Sequence, residues 1–184
     1  MKRQGLPHPN NFHLSAAAGW LQLGNPAEAQ KELDQIDPGL HHDADVLLVR
    51  WLIEEKMENW EAAKDTARQL FIADCGRSEI WILVAASLAE VDGPRAAFEF
   101  LQQAAPHFPL DSSIPYNLAV LASRCGEVEE ARRWLNEACR VVGRIQSKTV
   151  AEKCSLLSEL GERAANEPGL KPLWEEIMRS AWAV

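Results

Sequence analysis

The sequence predicts an all-α fold made of stacked helix–turn–helix units, and three observations lead there. Ala29, Ala63, Ala97 and Ala131 fall 34 residues apart, and Leu33, Ala67, Leu101 and Leu135 each follow four residues later. Ala17, Trp51, Ala85 and Ala119 keep the same interval, as do the turn positions Gly24, Glu58, Asp92 and Gly126. No segment alternates apolar and polar residues as a half-buried strand does. A period of 34 residues, uninterrupted over four units, is the length of two short helices with their turns.

Each element has a local reason to form. An apolar pattern over 11–23 gives the first helix. GNPAEA then places Asn25 as N-cap, Pro26 at the first helical position and Glu28 in the first turn, opening a helix over 26–37. HHDAD, from His41 to Asp45, supplies a cap and first-turn acid to a helix over 44–57; a metal cluster there is the weaker reading. Helices over 60–74 and 78–91 follow, and DGPRAA starts the next over 94–106 with Gly93 before Pro94. The patterns over 113–125 and 128–142 form the fourth pair, with EVEEARR as its solvated face.

From Ser147 to about Asn166 a more polar helix stands where a fifth unit would begin. The last helix sets Leu170, Leu173, Trp174, Ile177, Met178, Ala181 and Trp182 on one stripe opposite Lys171, Glu175, Glu176 and Arg179. A stack of repeats must hide its last apolar face, so this helix is expected to cap it. The other use of such a stripe is insertion into a membrane surface or a partner groove, which its lack of excess Lys and Arg disfavours.

Composition narrows the chemistry. The 184 residues carry a formal charge of -8, which repels a phosphate backbone, so no nucleic-acid partner is expected. MKRQGLPHPNN has no apolar run behind its basic residues, and no run spans a bilayer, so a cytoplasmic location is expected. Cys75, Cys125, Cys139 and Cys154 show no paired spacing and are expected to be buried or half-buried free thiols. No phosphate loop, dinucleotide fingerprint, nucleophile elbow or HExxH is present, so neither an enzyme, a metal nor a cofactor is expected.

The third unit, WILVAASLAEVDGPRAAFEFLQQAAPHFP, carries Trp81, Val84, Ala85, Leu88, Ala97, Leu101, Ala104 and Pro109 at the signature positions of the tetratricopeptide repeat (TPR) family, which the chain resembles. The fourth unit adds Leu118, Ala119, Ala131, Leu135 and Ala138, though Pro115 takes its Trp position and Ala122 its aromatic one. In the second unit Glu54 replaces that aromatic and Trp51 stands where a small residue is expected, which predicts looser packing there. The resemblance implies a right-handed α-solenoid with a disordered N-terminus at 1–9. Four repeats follow at 10–43, 44–77, 78–111 and 112–143, and capping helices over 144–184. The recurrent alanines are the close-contact points of helices about 8–10 Å apart.

The same resemblance implies function: a non-enzymatic scaffold or adaptor that holds a protein or peptide segment in a concave groove. Mapping the family's groove positions onto the first helix of each repeat selects Leu48, Leu52, Glu55, Glu79, Ile82, Ala86, Tyr116, Asn117, Val120 and Arg124 as the candidate site, and the remaining groove positions are Asn11, Leu14, Ser15, Ala18, Leu21, Gln22, Asp45, Val49, Lys56, Leu83, Ala89, Glu90, Ser113 and Ser123. Leu14, Ala18, Leu48 and Leu52 occupy the places of the Lys and Asn that clamp chaperone tails, so that use is disfavoured. Leu52, Ile82 and Tyr116 are expected to form one exposed apolar patch, suited to an amphipathic helix or filament subunit with some basic residues. The alternatives are a cytoskeletal-filament or membrane-associated adaptor similar to bacterial kinesin-light-chain-like proteins, and a TPR-type secretion chaperone. The oligomeric state is open at this level.

Overall fold

A computed structural model describes residues 6–145 and 148–181. Among these residues the chain is all-helical: α1 (Asn10–Gln22), α2 (Pro26–Leu33), α3 (Ala44–Lys56), α4 (Trp60–Ala73), α5 (Ser78–Val91), α6 (Pro94–Gln102), α7 (Ser113–Arg124), α8 (Val128–Arg144), α9 (Val150–Asn166) and α10 (Lys171–Ala181), with a 3-10 turn at Pro38–Leu40. It divides into two compact units, 1–87 and 88–184.

The turns repeat in atomic detail. After α1 the Asn25 N–H donates to the Trp20 carbonyl at 2.9 Å and Gly24 N–H to the Leu21 carbonyl at 3.0 Å. The same pair of bonds recurs after α3 (Asn59 to Glu54, Glu58 to Glu55) and after α7 (Glu127 to Ala122, Gly126 to Ser123). This C-cap needs one residue in the left-handed region, and Gly24, Glu58 and Gly126 have φ of 73°, 55° and 78°. The third repeat turns differently: its positive φ falls on Gly93 (φ 93°, ψ 161°), one place beyond Asp92, where it is the N-cap of α6. Asn25 and Asn59 then cap the next helix, accepting from the N–H of Glu28 and Ala62.

Glu58 alone among these turn residues carries a side chain into a conformation that costs an L-residue roughly 1–2 kcal/mol. Glu58→Gly is therefore expected to raise stability by about 0.5–1 kcal/mol, after allowing for the freer unfolded chain. A thermal melt should shift upward by roughly 1–4 °C; an unchanged or lower melting temperature would show the turn carries no strain.

In the first unit, Ala17 of α1 and Ala29 of α2 are fully buried and pack with Leu33, Val46, Val49 and Ile53. A second cluster joins Leu47, Leu70 and Ile80 from α3, α4 and α5. Leu6 packs against the first cluster, so residues 6–9 lead into α1, and the rest of the expected disordered stretch lies outside the described residues. Trp51 corrects the expectation of loose packing: it is 3% exposed, and its indole Nε1 donates to Ser87 Oγ at 2.8 Å. A polar neighbour from α5 receives the large ring, so the position holds a buried anchor in place of a small contact point. Glu54, three residues further along α3, is half-buried, and loss of hydration pushes its carboxyl above the ordinary value.

In the second unit Ala97, Ala119, Ala131 and Ala138 are inaccessible among Leu101, Leu118 and Leu135. The two expected helices that end early, α2 and α6, precede Pro38 and Pro106, whose rings clash with a helix continued beneath them. α9 starts three residues later than expected because Thr149 and Glu152 form a reciprocal capping box, with residues 146–147 outside the described set. α10 packs on α9 and α8, burying Leu170 and Leu173, while Arg132 and Glu176 pair at 2.5 Å across α8 and α10. Trp182 lies outside the described residues.

Candidate functional site

In the first unit the groove positions of α1 and α3 come together. Ala18, Leu21 and Gln22 of α1 and Leu52 and Lys56 of α3 line a cavity of about 250 Å³. Its wall is mostly hydrocarbon, and Leu52 is half-exposed within it, so an apolar side chain from outside could be desolvated there. Glu55 Oε2 lies 3.5 Å from Lys56 Nζ at the rim, a loose exposed pair worth little in water. Glu79 is exposed in the first turn of α5, and Ile82 and Ala86 are half-buried one and two turns on. Leu48 instead leans into the Leu47–Leu70–Ile80 cluster, so it serves mainly the core.

The second unit treats its groove positions differently. Tyr116 is 3% exposed, against the expectation of an accessible patch, because the Arg163 guanidinium of α9 lies 4.0 Å over its ring. Burial also pushes its phenol upward from the ordinary value, with Arg163 opposing the rise. Asn117 Nδ2 donates to the Ser113 carbonyl at 2.8 Å, an internal bond of α7. Arg124 is held by Glu90 at 2.8 Å, leaving Val120 half-exposed. A Cβ at Gly169 would stand 1.9 Å from Ser123 Oγ, so the turn before α10 presses onto α7. The C-terminal helices thus cover part of the surface that the repeat register assigns to a partner.

Sequence reasoning did not find a cleft of about 510 Å³ between α9 and α10, lined by Cys154, Leu157, Gly161, Trp174 and Met178 among others. Its signal was Gly161, where a Cβ would come within 2.8 Å of the Trp174 ring; glycine lets the indole lie against α9.

All four cysteines are free; Cys125 and Cys139 are half-buried, with burial raising both thiols, whereas Cys75 and Cys154 are exposed, contrary to expectation. Asp43 caps α3 by accepting from Asp45 N–H at 2.9 Å, and His41 Nε2 bonds the Ile36 carbonyl at 3.0 Å, so HHDAD has a structural role. Among the described residues no three His, Cys, Asp or Glu side chains gather as a metal site, and no helix is long and apolar enough to cross a membrane.

No family model and no curated protein matches the sequence. Solved structures do match its fold. A structure of MamA superposes with a TM-score of 0.63 at 13% identity, covering 94% of this chain and 89% of the other. MamA from residue 41 to its end, from Desulfovibrio magneticus RS-1, gives 0.63 at 14% identity, covering 94% and 93%. YrrB, described as a TPR protein with an unusual peptide-binding site, gives 0.54 at 12% identity, covering 91% and 90%. With these neighbours and the turn and alanine register that recurs in the structure, the chain has the tetratricopeptide-repeat fold, an all-α solenoid class.

Proposed function

We propose that this protein is a non-enzymatic adaptor that binds a segment of another protein through the groove positions of its first unit. The observation that carries this reading is the cavity formed by Ala18, Leu21, Gln22, Leu52 and Lys56, an apolar recess built from two successive first helices of repeats. Ile82 and Ala86 on α5 extend the half-exposed apolar surface within the same unit, and Glu79 and Glu55 give it an acidic edge. A segment with an aliphatic anchor and a basic residue fits that chemistry. The likeness to YrrB, a protein with a peptide-binding site, supports the same reading. The membrane-associated alternative has less support, because Leu170, just before α10, and Leu173 within it are buried.

The test is to select peptides from a displayed random library on the immobilised protein and measure their binding to variants. Leu52→Asp and Ile82→Asp should each weaken binding by at least roughly thirtyfold, a hot-spot-sized loss. Their melting temperatures should fall less than that of a variant at an inaccessible site, since both side chains are only half-buried. Ala131→Leu, at an inaccessible site, should do the reverse, costing about 1–3 kcal/mol of stability while sparing the groove. Normal binding by both folded aspartate variants would place the site elsewhere.

A further inference from the structure

The repeat register leaves one face of α1 without the cover its equivalents receive. Phe12 is 63% exposed, whereas the residues at the same repeat position, Val46, Ile80 and Ile114, are 0%, 1% and 0% exposed. Along α1 and onto its C-cap residue Leu23, Phe12, Ala16, Gly19, Trp20 and Leu23 form a single stripe, and Trp20 and Leu23 are 36% and 76% exposed. This stripe is distinct from the groove positions Ala18, Leu21 and Gln22 and from the core position Ala17.

We propose that this stripe is a self-association surface, on which α1 pairs antiparallel with α1 of a second copy of the chain. Charge is the first reason. NNFHLSAAAGWLQ contains no Asp, Glu, Lys or Arg, in a protein that is 25% charged with a net charge of -8. A strongly charged partner finds nothing to pair with there, while an identical helix brings no like charge to be repelled or desolvated. Spacing is the second reason. About the midpoint of the stripe, Phe12 mirrors Leu23 and Ala16 mirrors Gly19. A two-fold axis therefore sets each Phe12 against Leu23 of the other copy, with small residues at the crossing. Gly19 has open space above it, since an added Cβ would meet nothing within 4 Å, so the two helices can approach closely.

One helix face is a small interface, so the dimer should form in roughly the tens of micromolar range. Light scattering after gel filtration, over a concentration series of the 184-residue chain, should show a monomer–dimer equilibrium. Phe12→Lys alone and Leu23→Glu alone should each raise the dissociation constant by about tenfold or more, with circular dichroism and melting unchanged because both side chains are exposed. An equimolar mixture of the two variants sets the introduced lysine against the introduced glutamate at one end of the helix pair. At the other end it keeps Phe12 against Leu23, so the mixture should recover dimer. A wild-type protein that stays monomeric throughout the series overturns the proposal. So do single variants that still dimerise as wild type, and a mixture of folded variants that recovers none.

Discussion

Replacing Trp51 with alanine is expected to lower stability by about 3–5 kcal/mol, and so to lower the melting temperature by roughly 6–20 °C. The side chain is 3% exposed, and no smaller residue fills the volume it occupies between α3 and α5 of the first unit. Its indole also supplies the 2.8 Å bond to Ser87 Oγ, and Ser87 is itself inaccessible and donates to the Leu83 carbonyl at 3.1 Å. Trp51→Phe separates the two contributions. It keeps most of the apolar volume and removes the N–H, so it should cost about 1–3 kcal/mol, the range for leaving a buried polar group short of a partner. Thermal or urea melts of the three proteins decide the matter. If alanine costs less than phenylalanine, the position tolerates the small residue that the repeat pattern expects there, and Trp51 is not an anchor.

Removing residues 167–184 is expected to have a comparable effect in the second unit. α10 and the turn before it contribute Leu170, fully buried, and Leu173, 5% exposed, and burying such a side chain stabilises by roughly 1.5–3 kcal/mol. Their removal also uncovers the α9 and α8 surfaces against which α10 packs. The Arg132–Glu176 pair adds little, because Glu176 is solvated, although the neighbouring guanidinium holds its carboxyl below the ordinary value. The shortened protein should melt about 10 °C lower or aggregate on heating. A melting temperature equal to that of the full chain would mean that α10 closes no essential face, and its stripe would become available for binding.

The period, the buried alanines and the turn chemistry were readable from the chain alone. These features act over a few residues: a left-handed C-cap needs glycine or a strained substitute, and an asparagine caps the helix that follows. The stops before Pro38 and Pro106 come from a clash within one turn, yet sequence reasoning carries both helices four residues too far. The Thr149–Glu152 capping box is equally local, but sequence reasoning misses it and begins α9 three residues early. Repetition at 34 residues then multiplies each local preference into an architecture.

The candidate site was legible only as a register. That register selected Leu52 with Ala18, Leu21, Gln22 and Lys56, which the structure brings to one cavity. It also selected Tyr116, which Arg163 covers, and Arg124, which Glu90 holds. No local preference in α7 announces either partner, because one lies in α9 and the other one repeat away. Whether a groove position is open depends on what the chain lays over it, and that is decided by packing between segments distant in sequence. The same holds for Trp51. Its size breaks the repeat pattern, and only the hydroxyl that α5 places beside it makes the buried indole a stable neighbour.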